Sequence, residues 1–130
     1  MKQKRIRVLK VEPGKEPTLV TLNNNLDDLQ KAVSIVAPSQ GLIEIIDLEE
    51  DVCLILNEEA KLISELKPNR RMGNDILVGT FYVTGQDICG NLTTLSESKM
   101  QKYAKLFEKP CNDITDEEVA NTLVMRFYGM

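Results

Sequence analysis

Two apolar runs of strand length, Leu42 to Ile46 and Val52 to Leu56, constrain this chain more than any other feature. Only the acidic stretch DLEED separates them. Apart from Glu44 both runs are apolar at successive positions and so present apolar side chains to both faces of a sheet, and the pair predicts two central strands covered on each side. A third run, ILVGTFYV from Ile76 to Val83, is the best strand in the sequence, and Gly79 within it marks either a bulge or the close approach of another backbone or ligand.

The flanking elements follow from pattern and turn chemistry. Ile6 to Val11 and Thr18 to Leu22 are β-rich and joined by EPGKEP, which predicts a hairpin with its turn at Pro13-Gly14. Leu26, Leu29, Val33 and Val36 share one helical face; Asn25 can cap that helix, and Pro38 and Gly41 stop it. Near the C-terminus, Thr94 with Glu97 and Thr115 with Glu118 fit capping boxes. The first precedes Met100, Tyr103, Ala104 and Phe107 at helical spacing, and the second precedes a Val119, Leu123, Phe127 stripe. Val124, Met125 and Tyr128 lie off that stripe, so this last helix is either sandwiched or meets another subunit, a second copy included. The expectation is a single-domain α+β fold: a mostly antiparallel or mixed sheet of about five strands, one inserted helix and two C-terminal helices.

Composition narrows the chemistry. A chain of 130 residues with 42% hydrophobic and 28% charged residues can bury one core without metals or disulfides. Histidine is absent, which removes the usual general base and the commonest zinc ligand. The three cysteines, Cys53, Cys89 and Cys111, form no CxxC spacing and read as reduced thiols. A net charge of −4 gives no reason to expect direct nucleic-acid binding. No apolar run approaches the roughly 20 residues that span a bilayer, and the N-terminus lacks a signal-peptide core, so a cytoplasmic protein is expected.

The polar residues that invite a functional reading cluster in NEEAKLISELKPNRRMG, Asn57 to Gly73, between apolar stretches. If the strands ending at Leu56 and beginning at Ile76 are antiparallel neighbours, Asn57 and the Asn69-Arg70 pair share one edge of the sheet. Arg70 then has three roles open to it. It can brace the loop against Glu58 or Glu59, present its guanidinium to a phosphate or carboxylate, or contact a protein partner. Phe81 or Tyr82 offers a stacking surface for a nucleotide, and Asp87 follows the same strand. Adjacent glutamates on a strand point to opposite faces, so Glu58 and Glu59 make no carboxylate pair, and no metal site, cofactor site or catalytic constellation is expected. EPGKEP lacks P-loop spacing and reads as a turn.

The order VEPGKEP, LIEIIDLEEDVCLILNEEAKL, KPNRR, DILVGTFYVTGQD and a helix after LTTLSE resembles the small proteins grouped as domain of unknown function 3846. The family pattern would fall on Asn57, Glu58, Glu59, Asn69, Arg70, Gly79, Thr80, Phe81, Gly85 and Asp87. The resemblance covers residues to about Phe107 and divides residues 1–130 into a family-like core, 1–108, and an additional C-terminal helix, 109–130. It implies proteins carried by phages, plasmids and conjugative elements, and it brings no catalytic residues. Two functions are therefore expected in order: a non-enzymatic accessory protein that binds a host or element protein, possible counter-defence included, and, as the alternative, a binder of a small anionic ligand or nucleotide through Asn57, Asn69 and Arg70.

Overall fold

The N-terminal hairpin forms as expected: β1 (Arg5–Val11) and β2 (Thr18–Asn23) pair antiparallel, in unbroken register from Arg5↔Asn23 to Lys10↔Thr18. The computed structural model describes residues 3–33, 43–57, 60 and 67–128, the last six of these by backbone alone. Asn25 begins α1 (Leu26–Val33): its Oδ1 accepts from the Asp28 amide at 2.9 Å, and its carbonyl accepts from the Leu29 amide. Leu29 and Val33 are buried, whereas Leu26, the first member of the apolar stripe, is largely exposed. Val36, Pro38 and Gly41, read as the end of this helix, lie outside the described residues.

The two apolar runs become β3 (Ile43–Glu49) and β4 (Val52–Asn57), antiparallel, with a register shift between Asp47 and Glu49. Every residue of β4 is buried, so its two-faced apolarity does mark a central strand. The same reading is corrected for β3, which is the sheet's edge and leaves Ile45 53% exposed. Ile46 and Leu48 pack toward the second helix and Ile43 toward α1, but β3 has a neighbouring strand on one side only.

A second correction concerns Ile76 to Val83, which is not one strand. Gly79 adopts φ +76°, a left-handed conformation that ends a strand and that only glycine takes without strain. β6 (Asp75–Val78) therefore pairs with β5 (Pro68–Met72) in a small separate sheet, while β7 (Phe81–Gln86) enters the main one. KPNRR is accordingly strand, where a loop was expected. The main sheet runs β2-β1-β7-β4-β3, and a short β8 (Leu92–Thr93) pairs with the far end of β7. At that end Gly85 is required by space, because a Cβ there would stand 2.5 Å from Thr93 Oγ1.

α2 (Glu97–Leu106) starts two residues later than the capping-box expectation: Ser96 is the cap, accepting from the Lys99 amide, and Thr94 instead accepts from the Arg7 amide at 3.1 Å. Thr115 does cap α3 (Asp116–Tyr128), its Oγ1 accepting from the Glu118 amide at 3.1 Å, but the Glu118 carboxylate that would complete the box accepts from Arg71 instead. The main sheet is covered on both faces. Leu9, Val11, Leu54, Leu56, Phe81 and Val83 pack beneath Tyr103 and Phe107 of α2. Ile6, Val8, Cys53, Ile55 and Tyr82 pack beneath Leu29 and Val33 of α1. Each such fully buried side chain contributes about 1.5–3 kcal/mol. Ile114 and Val119 at the start of α3 pack on Ile76 and Val78 of β6. The fold is α+β, a single domain built on an antiparallel sheet.

Candidate functional site

β5 carries the Asn69-Arg70 pair inward, and both side chains are almost completely buried. Asn69 donates both amide hydrogens to backbone carbonyls, Val11 of β1 at 2.8 Å and Gly79 at 2.8 Å. Its own oxygen accepts from Arg70 Nη1 at 2.7 Å. Arg70 Nη1 also reaches the Asn69 carbonyl, Nε and Nη2 both reach the Phe107 carbonyl at 3.1 and 3.0 Å, and Nη2 reaches the Lys15 carbonyl at 2.5 Å. A guanidinium has five N–H donors, and here all five have a protein acceptor.

The acceptors explain how a charge can be buried there. Phe107 is the C-cap of α2, so its carbonyl is one of the oxygens that no intrahelical donor satisfies, at the negative end of the helix dipole. Burial pushes the Arg70 guanidinium below its ordinary value, and the electrostatic pull of the nearby Cys111 opposes that shift. No carboxylate pairs with Arg70 among the described residues. Arg70 thus links the β1–β2 turn, β5 and the end of α2, and Asn69 ties that link to β1 and to the Gly79 bend. This is bracing, though by backbone carbonyls; Glu58 and Glu59, the partners expected from sequence, lie outside the described residues.

The structure does not gather the other site residues around this pair. β4 and β7 are antiparallel neighbours, as the edge argument required. Asn57, however, donates to the Val33 carbonyl of α1, while Arg70 reaches toward α2. These helices cover opposite faces of the sheet. Phe81 is fully buried and meets Phe107 edge-on with ring centroids 5.2 Å apart, and Tyr82 is buried on the α1 side with its hydroxyl donating to the Ala32 carbonyl. Burial pushes the Tyr82 hydroxyl up to about 12. Neither ring offers a face to a nucleotide. Asp87 closes the β7–β8 loop, accepting from the amides of Cys89 and Asn91 at 2.9 Å each, and the Asn91 contacts hold its carboxyl below the usual range. Cys53 is core, with its sulfur 3.0 Å from Thr84 Oγ1. Val124, Met125 and Tyr128 belong to α3, but their side chains lie outside those described.

Two polar clusters were missed. Glu49, at the end of β3, accepts from Lys99, Lys102 and the Tyr103 hydroxyl, and these bonds, that of Lys99 first, hold its carboxyl down to about 2. The signal was present in the sequence, since Lys99, Lys102 and Tyr103 fall on one stripe of a helix. Arg71, next to the buried Arg70, turns outward and holds Asp113 and Glu118, fixing the start of α3 to β5. Among the described residues no group of His, Cys, Asp and Glu could hold a metal ion, and no helix is long and apolar enough to cross a membrane.

A family model matches residues 6–108, and its description is a domain of unknown function, DUF3846. No curated protein and no solved structure matches the chain.

Proposed function

The chain belongs to the DUF3846 family of unknown function, and from that premise we propose that it is a non-enzymatic accessory protein of a phage, plasmid or conjugative element that acts by binding a host or element protein. One contrast carries this reading: the polar groups that could have formed a ligand site turn inward, and large apolar side chains turn outward. Arg70 and Asn69 are consumed in backbone bonds, while Ile88 is 96% exposed on the β7–β8 loop that Asp87 pins, and Ile45, Leu106 and Leu19 are displayed on β3, α2 and β2. Covering an apolar side chain this exposed with a partner's surface would remove it from water, which favours association. Binding an anion through Arg70 would require it to abandon five internal bonds, each left acceptor costing about 1–3 kcal/mol.

The test is reconstitution. A candidate captured from host or element extract is purified and titrated against the purified chain by calorimetry. The expected result is a saturable complex of fixed stoichiometry that Ile88→Asp or Leu106→Asp weakens. A chain that stays monomeric and partner-free in extracts of every plausible host contradicts the proposal.

A further inference from the structure

We infer that the outer edge of β2 is the docking site for an extended, acidic segment of a partner protein, which adds to the main sheet as a further strand. The inference rests on the protein-binding reading above and names the surface and the chemistry.

The two edges of the main sheet differ in how they are guarded. Sheet edges are commonly blunted by charges, proline or bulges, because unpaired N–H and C=O groups invite another chain. β3 has such guards: Glu44, Asp47 and Glu49, and the register shift at its end. β2 has none. Its sequence TLVTLN holds no charge and no proline, and it pairs with β1 in regular register throughout.

The hydrogen-bond direction can be read from β1. The Arg7 amide donates to Thr94 Oγ1, and the Arg7 carbonyl accepts from the Leu95 amide, both on the side away from β2. Arg7↔Thr21 is therefore a non-hydrogen-bonded pair, and the N–H and C=O of Thr21 point outward. By the two-residue period those of Leu19 do the same. Leu19 and Thr21 are exposed, and their side chains lie on the α2 face, beyond the reach of the core.

Charge selects the occupant. Arg5 and Arg7 share that face with Thr21, are exposed, and form no ion pair among the described residues, although Glu97 stands in the first turn of α2. A strand added beside β2 would lie two spacings from them, about 9.5 Å, with only Thr21 and Asn23 between. Carboxylates on its inward-leaning face would meet those guanidinium groups. At the other end of β2 an open groove of about 410 Å³ is lined by Glu16, Pro17, Ala104, Lys105 and Glu108, so the selection for acid belongs to the Arg5–Arg7 end alone. Self-pairing of two β2 strands would instead bring Arg5 and Arg7 of each copy toward the other's, so a second copy fits the charge less well.

The experiment is a selection of random dodecapeptides against the full chain, followed by titration of the enriched peptides. Thr21→Pro removes one outward N–H and leaves the β1 pairing intact, as prolines on edge strands do. The expected enrichment is for alternating sequences with Asp or Glu, bound more weakly as salt rises. Thr21→Pro and Arg5→Glu/Arg7→Glu should each weaken binding about tenfold or more, with unchanged circular dichroism. No enrichment, enrichment of basic peptides, or equal binding by Thr21→Pro would overturn the inference. So would a dimer in sedimentation that Thr21→Pro dissociates, since the edge would then serve a second copy. A reconstituted partner that binds Thr21→Pro as well as the parent chain would refute the edge site and leave the binding function standing.

Discussion

Arg70 shows how little a residue's type reveals about its task. A guanidinium beside an asparagine in a polar stretch suggests an anion fork, yet here every donor meets a backbone or amide oxygen of the same chain. Removing it strands the Phe107 and Lys15 carbonyls and the Asn69 oxygen in a buried place. Arg70→Ala should therefore cost about 3 kcal/mol or more, seen as a lower urea midpoint at unchanged m-value. Arg70→Lys keeps the charge but has three donors where five are used, and should recover only part of that loss. Glu49 makes a complementary prediction about pH. Its folded carboxyl sits at about 2 against an ordinary 4.5, so the stability it contributes is present above 4.5 and is lost as the pH falls from there toward 2. The thermal midpoint should drop across that window, and Glu49→Gln should show a shallower drop. An identical acid limb in the variant would assign the dependence to other carboxylates.

At the scale of elements, Gly79 is the decisive residue. Its positive φ lets one apolar run serve two sheets, and its carbonyl and amide are both engaged, by Asn69 and by the Lys67 carbonyl. Gly79→Ala should cost about 1–2 kcal/mol for the left-handed conformation alone, measured by chemical denaturation. A neutral effect would mean that the bend tolerates a side chain. The same position marks the limit of legibility. ILVGTFYV is apolar on both sides of Gly79-Thr80, so periodicity had no means of telling a bulge within one strand from a break between two, which lies in one dihedral angle. β5 was hidden for a related reason: PNRRM opens on proline and lacks an apolar pattern, because its inward positions are filled by an asparagine and an arginine. Where side chains alternate or repeat in the ordinary way, in the β1–β2 hairpin, β4, α1 and the Met100, Tyr103, Phe107 stripe of α2, the pattern was legible. β3 was mistaken because two apolar faces do not distinguish a central strand from an edge.

Across the whole molecule, the expected site divided because neighbouring strands do not guarantee a shared face. The sequence argument expects Asn57 and Arg70 on one sheet edge; β4 and β7 do pair antiparallel, but Arg70 stands on β5 in the separate small sheet and reaches toward α2, while side-chain alternation sends Asn57 toward α1. Polar groups are the ties between layers: Arg70 at the end of α2, Glu49 along its side, Arg71 at the start of α3. With these ties internal, the partner binding proposed above would fall to edges and displayed apolar side chains. The most direct measurement is the thermal midpoint of the parent chain and of Arg70→Ala, each alone and with nucleotides, cyclic dinucleotides and simple anions. A site occupied at 100 times its dissociation constant would add about 2.7 kcal/mol, a shift of several degrees. An internal brace predicts no compound-specific shift in the parent and a midpoint lowered by several degrees in the variant; a nucleotide shift that Arg70→Ala abolishes while keeping the parent's midpoint would contradict it.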